Sequence, residues 1–310
     1  MTFSRRHFLV GVGTVTVAAY AGASPLNTFE RQALLYPPMD LSYFDCPFDH
    51  GAREIKLGAT ATISRGNHQR IIAIASVLGY TGIHLDSNIL RQYSDPHELK
   101  DLLAPHKLTL VALSSGSIGL DHRLDAEIIE GHVKNARYLR AAGGKYLLIA
   151  GVATKRHDFT ANEYKRAGKV LTEIGKRAAD YGVQTGLLNR MDTIGQTPRQ
   201  VDSILAAVDS RYVKFSLDVE HYLQGGGDPV AAIRIYDKRL LSVHSKEVKP
   251  AVAKGQYQAA NLRPGKSDFG QIGEALHSSQ FSGWSFVGLD RQEPTAMSAE
   301  YLTKKPGVQA

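Results

Sequence analysis

VKFSLDVEHYLQGGGDPVAAIRIYDKRLLSVHSK, residues 213–246, decides the fold. Two short apolar runs, 213–217 and 240–243, flank a Gly-rich turn and a segment at 229–236 that reads as a helix. The first run stops at Asp218, with His221 three residues on; the second ends in His244 and Lys246. Strands of a parallel sheet are buried on both faces and read as continuous apolar runs, and the polar residues at their C-terminal ends converge on one rim. Asp218, His221, His244 and Lys246 are therefore expected to face a common site. A carboxylate and imidazoles gathered there suit a divalent metal or a polyol. The general polarity of loops explains one such residue; four on two successive strand ends favour a site.

The same alternation extends through most of the chain. Apolar runs at 57–62, 82–85, 108–113, 146–149, 183–188, 213–217, 240–243 and 284–287 read as strands. Amphipathic segments at 68–78, 95–103, 126–142, 161–181, 198–208, 229–236 and 270–277 read as helices between them. Their punctuation agrees: Gly143-Gly144 follows the third helix, Gly182 the fourth, and Pro198 opens the fifth at a tolerated first-turn position. Eight strands alternating with helices over roughly 250 residues is the arithmetic of an α/β (β/α)8 TIM barrel, a single domain expected at 56–302. A doubly wound sheet is the runner-up, but no G-x-G-x-x-G follows the first strand. Residues 24–55, broken by Pro37, Pro38 and Pro47, read as an N-terminal extension over the body, and 303–310 as a tail.

Residues 1–23 read as a twin-arginine signal peptide. Ser4-Arg5-Arg6-His7-Phe8-Leu9 precedes a modestly apolar run to Ala21, and small residues follow at which cleavage is possible. The run is too short for a membrane span of roughly 20 apolar residues. A receptor reads such an address and moves folded proteins out of the bacterial cytoplasm, so a periplasmic or secreted location is expected, with no membrane span once the signal is removed. Removal takes two basic residues and no acidic one, so the formal charge falls from +7 to +5. No basic run with interleaved aromatics of the nucleic-acid type accompanies that charge. The single cysteine, Cys46, has no internal disulfide partner, which suits folding in a reducing compartment before export.

In a barrel, active sites sit at the C-terminal strand ends. Those ends carry His84 and Asp86, then Ser114 and Ser115, then Asn189, Arg190 and Asp192. Asp218 and His221 follow the sixth strand, His244, Lys246 and Glu247 the seventh, and Asp290 and Arg291 the eighth. The rim is rich in imidazole and carboxylate, the composition of a sugar or polyol site. Asn189, Arg190, Glu247 and Asp290 are its expected substrate contacts.

Several motifs together resemble a known family. Gly79-Tyr80-Thr81-Gly82-Ile83, Leu188-Asn189-Arg190, Leu217-Asp218-Val219-Glu220-His221, Gly227-Asp228-Pro229, Val243-His244-Ser245-Lys246 and Phe281-Ser282-Gly283-Trp284 stand in the order of the xylose isomerase-like sugar phosphate isomerase/epimerase superfamily. The resemblance implies a TIM barrel with a divalent metal, commonly zinc, manganese or magnesium, held by a Glu, an Asp, a His and a second Glu. Asp218 matches the aspartate, His244 the histidine, and His221 a substrate-contacting histidine. Gly186 and Gly288 stand where the two glutamates belong, and His84 replaces a further Glu usual on the second strand.

In the epimerases that the sequence resembles, the two glutamates also move the proton next to the carbonyl, and a glycine does neither job. The leading expectation is an exported sugar isomerase/epimerase-like enzyme, acting on a sugar, keto-sugar or cyclitol with a degenerate metal site. Asp218 and His244 would hold a metal, His221 or His84 act as base, and Lys246 polarise an oxygen. The alternative is a catalytically inactive barrel that binds a carbohydrate or a partner protein in the enlarged pocket left by the two glycines. An endonuclease of the same fold lacks its His and Glu cluster here. The expected partner is a small-molecule carbohydrate, not nucleic acid; oligomeric state is not legible.

Overall fold

The computed structural model describes residues 55–61, 68–77, 79–119, 121–154, 158–245, 247–250, 257–260 and 269–288. The expected signal peptide, residues 24–54 of the extension, Cys46, Lys246, Asp290 and the C-terminal tail lie outside them. The eight barrel strands are β1 (Lys56–Ala61), β2 (Gly82–Asp86), β3 (Thr109–Ser114), β4 (Tyr146–Ile149), β5 (Gln184–Leu188), β6 (Val213–Asp218), β7 (Leu240–Ser245) and β10 (Trp284–Gly288). Each pairs in parallel with its neighbours, in the closed order β1-β10-β7-β6-β5-β4-β3-β2. The expected (β/α)8 ring is therefore closed, with every expected strand in place to within two residues at either end.

The outer layer holds α1 (His68–Val77), α2 (Pro96–Leu103), α3 (Asp125–Ala141), α4 (Ala161–Ala179), α5 (Pro198–Ala207), α6 (Val219–Gln224), α7 (Pro229–Ile235) and α8 (Phe269–Ser278). Local signals set their starts. At α4 and α5, Thr160 with Glu163 and Thr197 with Gln200 form capping boxes that satisfy otherwise orphaned amides. One stripe of α4, including Val170, Leu171, Ile174 and Ala178, is buried against the sheet. Three elements depart from the expected pattern. A 3-10 turn, Ser87–Arg91, follows β2. The six-residue α6 leaves the end of β6 with no intervening loop. An antiparallel hairpin, β8 (Glu247–Pro250) with β9 (Tyr257–Ala260), follows β7.

Two apolar layers hold the barrel. The larger lies between strands and helices; the smaller fills the ring with Val111, Ala112, Leu148, Leu188, Leu241 and Phe286. Two bulges shape that filling. Against β6, Leu240 pairs with Phe215 and Ser242 with Ser216, so Leu241 is an extra residue; Val111 is extra in the same way against β2. Leu241, placed by its bulge, sits where Gly186 lacks a side chain: a Cβ at Gly186 would stand 2.9 Å from Leu148 Cδ2 and 3.0 Å from Leu241 Cδ2. The room expected at Gly186 is thus filled with leucine, and no enlarged gap exists there. Below the mouth, Trp284 and Phe286 stack at 6.0 Å and lie over Gly82 and Gly58.

Candidate active site

Of the residues expected at the ends of β6 and β7, Asp218, His221 and His244 lie close together. Asp218 and His244 are register partners across the two strands, and both are buried. Asp218 also caps α6, its Oδ1 accepting the His221 backbone N–H at 3.1 Å. That cap explains how the chain turns directly from strand to helix: one carboxylate ends β6, satisfies the first turn of α6 and places His221 beside itself. His221 is half-buried, and its Nδ1 accepts the backbone N–H of Met191, in the loop after β5, at a long 3.5 Å.

His84 joins them from β2. Its ring lies edge-on to that of His244, with centroids 4.8 Å apart. Phe286 supports both rings, 5.4 Å from His84 and 5.2 Å from His244. β10 runs between β1 and β7, and Gly288, paired with Thr60, lies two residues past Phe286, the partner of His244. Both ring nitrogens of His84 are engaged by hydroxyls: Nδ1 with Thr60 Oγ1 at 2.9 Å, and Nε2 with Ser114 Oγ at 2.8 Å.

The expected substrate contacts divide. Asn189 is fully buried, and its carboxamide clamps the Asp218 backbone: Oδ1 accepts from Asp218 N at 2.7 Å and Nδ2 donates to Asp218 O at 3.0 Å. It holds β5 against β6 and fixes the carboxylate that caps α6. Arg190 is exposed. The backbone of Glu247 opens the hairpin. Behind β3, Ser115 turns outward to His132 Nδ1 at 2.7 Å and accepts from Asn135 Nδ2 at 2.9 Å, both on α3. Desolvation lowers the pKa of His132 to about 4, against a smaller opposing effect from a backbone hydrogen bond with Ser117. Sequence reading gave Thr60 and His132 no role. Thr60 was findable, because the inward set of β1 follows from strand alternation; a lone His inside a helix carries no such signal.

Residues 72–305 match the xylose isomerase-like TIM barrel family. The chain belongs to that family. It is 24% identical over 274 residues to an inosose dehydratase of Lacticaseibacillus casei, covering 80% of this chain and 89% of the relative. The solved structure of the IOLI protein with a bound zinc atom superposes with a TM-score of 0.65 at 20% identity, over 80% of this chain and 94% of that one. The 3-keto-D-glucoside 4-epimerase of E. coli does so with a TM-score of 0.63 at 16% identity, over 80% and 98%. These two likenesses show the shared fold.

A divalent ion of the kind bound by the IOLI protein needs three or four converging donors. Among the described residues no group of three His, Cys, Asp or Glu side chains is placed to hold one. Asp218 already uses Oδ1 on the helix cap, both nitrogens of His84 are held by hydroxyls, and leucine fills the space at Gly186. Among the described residues this donor set does not fit a resident metal of the family type. We expect protein purified without added metal to carry well under about one ion per chain, and chelator to leave its melting temperature unchanged. Stoichiometric zinc or manganese by elemental analysis, lost in Asp218→Ala, would show the opposite.

Proposed function

We propose that this chain is an enzyme acting on a small polyhydroxylated carbonyl compound, a keto-sugar or keto-cyclitol, at the carbon next to its carbonyl. The observation that carries this reading is the gathering of His84, His244, Asp218 and His221 at one barrel mouth, two of the imidazoles in edge-to-face contact. The inosose dehydratase likeness supports the substrate class, since an inosose is a keto-cyclitol. The shared chemistry is enolisation: a base takes the proton from the carbon beside the carbonyl while a donor stabilises the oxygen that becomes the enolate. Return of the proton to the other face gives an epimer, return to the neighbouring carbon an isomer, and loss of a β-hydroxyl as water a dehydration product. His221, on the short α6, is the proton-carrying group we favour. Its contact with the Met191 amide is long enough to yield. The Ser4–Leu9 motif supports export by the twin-arginine route, which places this activity in the periplasm or outside the cell.

One observation favours a second reading, a barrel that binds a carbohydrate without turning it over: leucine, not a carboxylate, fills the station at Gly186. Heavy-water exchange separates the two. Wild type incubated with inososes, 3-keto sugars and ketoses should place deuterium at the carbon beside the carbonyl of at least one, read by NMR. Binding of a compound without exchange in any would leave the binding barrel standing instead.

A further inference from the structure

We propose that Thr60, His84 and Ser114 form a one-way chain of hydrogen bonds that ends in the Ser114 hydroxyl hydrogen, presented at the mouth as the donor to a ligand's carbonyl or enolate oxygen. The inference rests on the reading above for its ligand, but its direction comes from burial alone. Thr60 is buried, 5% exposed, and among the described residues its hydroxyl has a single partner, His84 Nδ1. If Nδ1 carried the proton, Thr60 would accept, and its own buried O–H would be left with nothing to donate to. An orphaned buried donor is costly, so Thr60 donates and Nδ1 accepts. A doubly protonated ring is excluded by the same test, because it too would turn Thr60 into an acceptor. In the remaining neutral tautomer the proton is on Nε2, which donates to Ser114 Oγ at 2.8 Å.

Ser114 then accepts from the imidazole and keeps its own hydrogen free to point elsewhere. Ser114 is only half-buried, at the C-terminal end of β3 on the mouth side. Its neighbour Ser115 is bound to His132 and Asn135 behind the sheet, which fixes the backbone that carries Ser114. The hydroxyl hydrogen is therefore delivered to the opening, polarised by a neutral imidazole behind it, which strengthens it as a donor. Such a donor matches the oxygen at which charge develops during enolisation. The assignment changes the part expected of His84: it backs an oxygen-binding hydroxyl and does not remove the proton, so that task falls to His221. Thr60 is a positioning residue, acting only through His84.

The test has one arm that needs no turnover. Long-range proton–nitrogen spectra of 15N-histidine-labelled protein at alkaline pH, with His84 assigned by its disappearance in His84→Gln, should show the Nε2–H tautomer. Thr60→Val, which keeps the shape and removes the hydroxyl, should lower the ratio of that tautomer to the other by roughly fivefold, as loss of one hydrogen bond implies. An Nδ1–H tautomer in wild type, or a ratio indifferent to Thr60→Val, overturns the chain. The second arm uses whichever carbonyl compound exchanges deuterium. Ser114→Ala should cut the exchange rate constant by about 10²-fold, the scale of one lost oxyanion donor, and raise KM by about tenfold at most, since the bound carbonyl loses one hydrogen bond as well. Ser114→Thr, which restores a hydroxyl, should recover most of it. Full activity in Ser114→Ala overturns the donor role. If wild type exchanges nothing, the proposed enzymatic function fails. Calorimetric binding of the same carbonyl compounds then decides the donor role, with affinity unchanged in Ser114→Ala overturning it and affinity weakened about tenfold supporting it.

Discussion

Phe286→Ala is expected to lower the unfolding free energy by about 3–5 kcal/mol, the range for removing a fully buried aromatic ring. Phe286 has no solvent exposure, stacks on Trp284 and supports the rings of both His84 and His244. The surroundings have little freedom to collapse into the hole. The strands around it are locked in a closed ring, and Gly58, its register partner on the adjacent β1, has no side chain to move inward. The effect should therefore sit in the upper part of the range. The chain's single tryptophan makes a convenient reporter, because Trp284 packs directly against the deleted ring. Denaturant midpoints followed by Trp284 fluorescence and by far-ultraviolet circular dichroism should fall together, with a red-shifted native emission. A loss below about 1 kcal/mol, or an unchanged emission maximum, would mean that the interior repacks and that the two imidazoles do not depend on this ring.

That dependence also explains which parts of the molecule the sequence made legible. Barrel strands such as β6 and β7 are buried on both faces, so runs like Val213 to Leu217 announce themselves, and their ends announce the mouth. The Asp218–His244 pairing and the closeness of His221 followed from that alone. Elements whose cause is a single side chain were hidden. Helix α6 is too short for a periodic signal and exists because Asp218 caps it in place, and the β8–β9 hairpin falls in a stretch to which the sequence pattern assigns no element. The bulges were hidden too. Alternation places Leu240 and Ser242 on one face of β7, whereas the extra residue at Leu241 brings both Leu241 and Ser242 to the interior side, where Ser242 meets Ser216. A glycine at 186 therefore looks like lost bulk in the sequence, while in the fold Leu241 from two strands away occupies the space. Asn189 shows the same limit. Its place in a motif suggested a ligand contact, but both ends of its carboxamide are taken by the Asp218 backbone.

The buried imidazole of His132 sets the second large effect, on stability in acid. Desolvation drops its pKa from 6.5 to about 4, so the folded protein keeps this ring neutral while the unfolded chain titrates normally. Above pH 6.5 the ring is neutral in both states and stability from this group is fully present. As pH falls from 6.5 to about 4 only the unfolded chain takes up the proton, and each unit removes up to 1.36 kcal/mol. Below about 4 both states are protonated and the loss levels off at roughly 3 kcal/mol, 2.5 units multiplied by that constant. The charged form is disfavoured because the ring, on the inner side of α3 behind β3, is only 6% exposed and is bound to Ser115. Carboxylates titrate in the same region, so the measurement must be a difference. The stability of wild type minus that of His132→Gln, from urea unfolding at a series of pH values, should decline from pH 6.5 to 4 and be flat outside that window. A difference that stays flat throughout would show that the ring gains its proton in the folded state as easily as in the unfolded one. In that case Ser115, and with it the backbone that carries Ser114, would be held by a charged imidazole rather than a neutral one.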